Sequence, residues 1–123
     1  MGFFGKLFGK KEQKSELKEP TQNFEKLMDA NQFWEIIAIS KTNSSEGYDK
    51  QQIELKKELL KLTAIEILEF DNKFRTLRGE VYNWDFWAAA YIIDGGCSDD
   101  CFSDFRGWLI GQGKEIFESA AQN

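Results

Sequence analysis

Residues 63–81, TAIEILEFDNKFRTLRGEV, decide the fold. Thr63 and Glu66 stand three apart in the pattern of a capping box, where each side chain accepts a hydrogen bond from the other residue's backbone N–H. Behind this start signal, Ile67, Phe70, Phe74, Leu77 and Val81 recur at spacings of three and four. That places them on one stripe of a helix, whereas a strand would scatter them over both faces. An apolar stripe is stable only when covered, so the rest of the chain has to supply matching helical faces.

Working outward, Asp29 can cap a first helix with Gln32 three positions on, burying Phe33, Ile36 and Ile37 before the polar stretch Thr42 to Gly47. A second helix from about Tyr48 carries Leu55, Leu59 and Leu62 on one face and stops before Thr63. Downstream, Asn83 can cap a helix that is apolar nearly all round from Trp84 to Ile93, which places it in the centre of the molecule. Gly95 and Gly96 end it, because glycine accepts the left-handed conformation of a helix C-terminus, and Ser98 can cap the next helix with Asp99 and Asp100 in its first turn. Phe102, Phe105 and Leu109 then face inward; Gly111 and Gly113 loosen the chain, and a last short helix from Glu115 to Ala121 presents Ile116, Phe117 and Ala120. No strand-like run of β-branched residues interrupts the series. The expected fold is all-α, a compact single-domain bundle of five to six helices.

The chain has 123 residues, room for one core, and its 15% aromatic content supplies enough apolar surface despite 30% charged residues. Residues 1–14, MGFFGKLFGKKEQK, differ from the rest: Lys6, Lys10, Lys11 and Lys14 oppose Glu12 alone, a local charge of +3. The net charge of −5 therefore conceals −8 on the remainder, which disfavours nucleic acid as a partner and favours a basic protein. With Pro20 in a polar stretch, residues 1–23 read as a flexible basic segment and linker, and the helical domain as 24–123. Phe3, Phe4, Leu7 and Phe8 beside Lys6, Lys10 and Lys11 make that segment a candidate for weak peripheral membrane contact. No apolar run is long enough to span a bilayer and no secretory signal is visible, so the expected location is the cytosol, with the inner membrane face as an option.

The chain has no histidine, which removes the commonest general base and metal ligand. Cys97 and Cys101, the only cysteines, lie four apart; read as one helix face, they are expected to be reduced, buried thiols. No catalytic residue, metal or cofactor is assigned.

The stretch Trp87 to Gly113, WAAAYIIDGGCSDDCFSDFRGWLIGQG, resembles the signature of a bacterial family called domain of unknown function 4240, and Phe33-Trp34 and LTAIEILEFDNKF (62–74) are similar to it as well. The similarity covers roughly Asp29 to Ala120. It implies a small helical bacterial domain, alone or joined to other modules, and brings no activity or cofactor. Cys101 departs from the family pattern, where a small residue such as glycine is expected.

The same stretch concentrates acid. Asp85, Asp94, Asp99, Asp100 and Asp104, with Ser98, could serve helix capping alone, present an acidic face to a basic partner, or hold a hard cation through Asp94, Asp99 and Asp100. Trp84 and Trp108, near helix ends, are candidate contact residues, while Trp87 belongs to the core. Arg106 is expected to pair internally with Asp85, Asp99 or Asp104 or to join the contact surface. The functional expectation is a non-catalytic interaction module, of immunity or antitoxin type, that blocks a basic toxin. The alternatives are a small metal-dependent enzyme or ligand-binding domain and a membrane-peripheral adaptor.

Overall fold

Asp29 accepts the backbone N–H of Gln32 across 3.1 Å, and helix α1 runs from there over Ala30–Thr42. In this computed structural model, residues 25–45 and 47–122 are described. The segment 1–23, its boundary at Phe24 and the candidate membrane-contact side chains from Phe3 to Lys11 lie outside them. Helix α2 spans Tyr48–Leu59, and α3 spans Ala64–Glu80 behind the expected capping box, with Thr63 and Glu66 bonded reciprocally at 2.9 and 3.1 Å. Helix α4, Trp84–Asp94, is capped by Asn83 and ends on Gly95, whose φ of 73° is left-handed. Helices α5, Asp99–Gly111, and α6, Lys114–Ala121, complete the chain. The protein is all-α, with six helices and no strand among the described residues.

The main core gathers Phe33, Ile37, Leu55, Phe70, Phe74, Ile110 and Phe117 from α1, α2, α3, α5 and α6, with Val81 just past α3, each almost wholly removed from water. Apolar burial of this kind contributes about 25 cal/mol per Å². One polar junction crosses it: buried Gln51 of α2 donates to the Gly111 carbonyl at 2.9 Å and to Ser40 Oγ at 3.3 Å, tying α2 to α5 and α1. The stripe expected on α3 is buried at Phe70, Phe74, Leu77 and Val81, with Ile67 half-buried; on α6, Phe117 is buried but Ile116 is exposed.

The central helix is α5, which packs against α1, α3, α4 and α6. This corrects the expectation for α4, where Ala90 alone is fully buried while Trp84 is 80% and Ile92 78% exposed. The physical reason is that an all-round apolar helix has no polar face to show which side turns outward. Helix α4 covers the first half of α5, with Ala90, Phe102 and Phe105 forming a second, smaller core against which Phe86, Trp87, Cys97 and Trp108 pack.

Candidate functional site

The α4–α5 corner is built from the turn upward. Gly95 takes the left-handed conformation, and the Gly96 N–H returns to the Tyr91 carbonyl at 2.7 Å, closing α4. Ser98 then starts α5 by accepting the Cys101 N–H at 3.3 Å. Between these two caps, Cys97 is fixed by the indole of Trp87, whose Nε1 donates to the Cys97 carbonyl across 3.0 Å.

Cys97 and Cys101 form a disulfide, with Cα atoms 5.2 Å apart. This corrects the expectation of reduced thiols. Cys97 is not on the helix: it precedes the capping Ser98, and the non-helical backbone there brings its Cβ toward that of Cys101. The missed signal was in the sequence, since a Ser-Asp-Asp start at residue 98 places Cys97 outside the helix. Asp94, the last residue of α4, sits with Oδ2 3.2 Å from Cys101 Sγ. With the bond closed, that sulfur has no hydrogen to donate. Asp94, Cys97 and Cys101 bring their ligand atoms within 4.8 Å of one another, the one such trio of metal-type donors among the described residues. The trio of Asp94, Asp99 and Asp100 is therefore not assembled: Asp99 and Asp100 project from the first turn of α5 into solvent, where carboxylates suit the helix dipole.

Above this corner lies an apolar groove of about 480 Å³, lined by Trp84, Trp87, Ala88, Tyr91, Ile92 and Cys97. A column of rings leads from it into the protein. Trp84 stacks on Trp87 at 5.8 Å, Trp87 on Phe102 at 4.8 Å, and the Arg106 guanidinium lies between the rings of Phe102 and Tyr82, 4.5 and 4.7 Å from their centroids. Arg106 also donates to the carbonyls of Phe102 and Arg78. Its partners are thus rings and carbonyls where an aspartate was expected. Burial pulls its pKa below the ordinary arginine value, the neighbouring Arg78 adds to the effect, and Tyr82 opposes it. Burial likewise lowers Arg78, Arg75 adding to it, while Asp71 and Asp104 pull the other way.

Of the nine candidate contact residues, Trp84, Asp85, Asp94, Ser98, Asp99 and Asp100 are exposed, Asp104 and Trp108 are half-buried, and Arg106 is buried. Residues that composition did not single out, Tyr91, Ile92 and Ile93, are exposed on α4 at 58, 78 and 69%. No described helix is long and apolar enough to cross a membrane.

Comparison with curated proteins and with solved structures gives no match. Residues 28–123, which hold all six helices of the described residues and the whole α4–α5 corner, match the model of the family described as protein of unknown function, DUF4240, and the chain belongs to that family.

Proposed function

We propose that this chain is a non-catalytic protein-interaction module that receives a basic, amphipathic partner surface on the open face of α4. The observation that carries this reading is apolar exposure beside unbalanced acid. Trp84, Tyr91, Ile92 and Ile93 are each more than half exposed around an apolar groove, and monomeric domains seldom leave such a patch uncovered unless it is used. Asp85, Asp94, Asp99 and Asp100 are exposed in the same segment, whereas its single basic residue from 84 to 113, Arg106, is buried between rings. A partner offering leucine-like side chains flanked by lysine or arginine would satisfy both features, with the carboxylates speeding encounter and the rings supplying contact area. The immunity or antitoxin form of this reading makes that partner a basic toxin.

The test is a titration of the protein with a helical leucine/lysine peptide and with its leucine/glutamate counterpart, followed by fluorescence anisotropy. The lysine peptide should bind, and the Trp84→Asp/Ile92→Asp double variant should weaken it about thirtyfold, the loss typical of a hot spot. Equal binding of the two peptides would remove the acidic contribution, and undiminished binding by the double variant would remove α4.

A further inference from the structure

We propose that Asp94, Cys97 and Cys101 form a redox-gated site for a thiophilic divalent cation of the Zn²⁺ or Cd²⁺ class, closed when the cysteines are joined and open when they are reduced. The inference does not require the interaction reading, although Asp94 and the groove-lining Cys97 belong to both regions. It rests on placement: one carboxylate and two sulfurs, the sulfurs joined as a disulfide, lie within 4.8 Å of one another, and once reduction lets the sulfurs part, a cation at about 2.3 Å from each sulfur and about 2.1 Å from the carboxylate oxygen fits between them.

The backbone that carries the sulfurs is held by contacts other than the S–S bond. Trp87 Nε1 fixes the Cys97 carbonyl, and Ser98 Oγ fixes the Cys101 N–H, so opening the bond leaves both side chains on anchored backbone. Asp94 already approaches Cys101 Sγ at 3.2 Å, and its position ahead of the left-handed Gly95 places it at the close of α4. Asp94 is exposed and both cysteines are half-buried, so a cation can enter from solvent. Two thiolates and a carboxylate leave a fourth position for water, the pattern of an open rather than a closed zinc site.

The chemistry balances in two steps. A thiol reductant transfers two electrons and two protons to the disulfide, giving the Cys97 and Cys101 thiols and the oxidised reductant. The cation then replaces the two thiol protons, which pass to water, and forms two metal–sulfur bonds.

Cadmium is the probe, because thiolate-to-cadmium charge transfer absorbs in the ultraviolet and carboxylates alone give no such band. The full chain, reduced with a phosphine that does not compete for the metal, should bind one Cd²⁺ with this band, displaceable by Zn²⁺. The oxidised chain should show none. Cys101→Ser should lose the band, and Asp94→Asn, a change at an exposed position, should weaken binding roughly tenfold. Circular dichroism of each variant separates lost binding from lost fold; should Cys97→Ser unfold, Cys101→Ser and Asp94→Asn still decide. A reduced protein without the band, or Cys101→Ser binding like the parent, would overturn the site; an Asp94→Asn variant binding unchanged would overturn the three-donor assignment.

Discussion

Arg106 Nη1 donates to the backbone carbonyl of Arg78 across 3.0 Å, so a guanidinium buried by α5 closes the last turn of α3. The same group lies between Phe102 and Tyr82. Arg106→Ala removes two ring contacts and two hydrogen bonds and opens a void, and should destabilise the fold by about 2–4 kcal/mol. Arg106→Lys keeps the charge but not the flat stack and should cost about half as much. Urea denaturation measures both, and a loss below about 0.5 kcal/mol for alanine would mean that the ring sandwich contributes little. The sign of the pH effect is also defined. A lowered pKa means the folded state holds this proton less tightly than the unfolded chain, so the fold would gain stability only as pH rises through the folded value. Arginine stays protonated at ordinary pH, so the alanine loss should be flat across the neutral range.

Gly95 isolates a backbone effect. Its φ is 73°, yet a Cβ placed there would meet no atom within 4 Å. Gly95→Ala should therefore cost about 1 kcal/mol through conformation alone, and Gly95→Asn less, since asparagine tolerates the left-handed region. Thermal unfolding checks the pair; equal costs would point to a contact rather than to φ.

Local signals in the sequence were strong where side chains bond to nearby backbone. Asp29, Thr63 with Glu66, Asn83 and Ser98 all cap the helices expected of them, because capping depends on residues three positions apart. The place of α4 depends on distant neighbours and was not legible: Trp84 to Ile93 is apolar on every side, so the pattern carried no direction. The contact region was half legible. Trp84 and the aspartates stood out by type, whereas Ile92 and Ile93 look like any core residues until their exposure is known. The disulfide was lost to an assumption that Cys97 belonged to a helix it only precedes.

The open face of α4 should be nearly silent in stability. Ile92→Ser with Ile93→Ser removes side chains that are 78 and 69% exposed, and should change the unfolding free energy by no more than about 0.5 kcal/mol each. Phe102→Ala, wholly buried beneath the same helix, should cost about 3–5 kcal/mol. Chemical denaturation compares them. A loss above about 2 kcal/mol for the double serine variant would mean that the face is covered within the protein, leaving no surface for a partner.

The Cys97–Cys101 bond should contribute little to holding the fold. It joins residues four apart, and constraint of so short a loop in the unfolded chain accounts for about 2 kcal/mol, against about 4.7 kcal/mol for a loop of 100 residues. Trp87 and Ser98 hold the same corner through hydrogen bonds that reduction does not touch. Reduced protein should accordingly remain helical and unfold cooperatively, with a urea midpoint lowered by no more than this increment implies. Collapse of the helical signal on reduction would show that the bond is structural, and a site that must open to take a cation could not then exist on a folded chain.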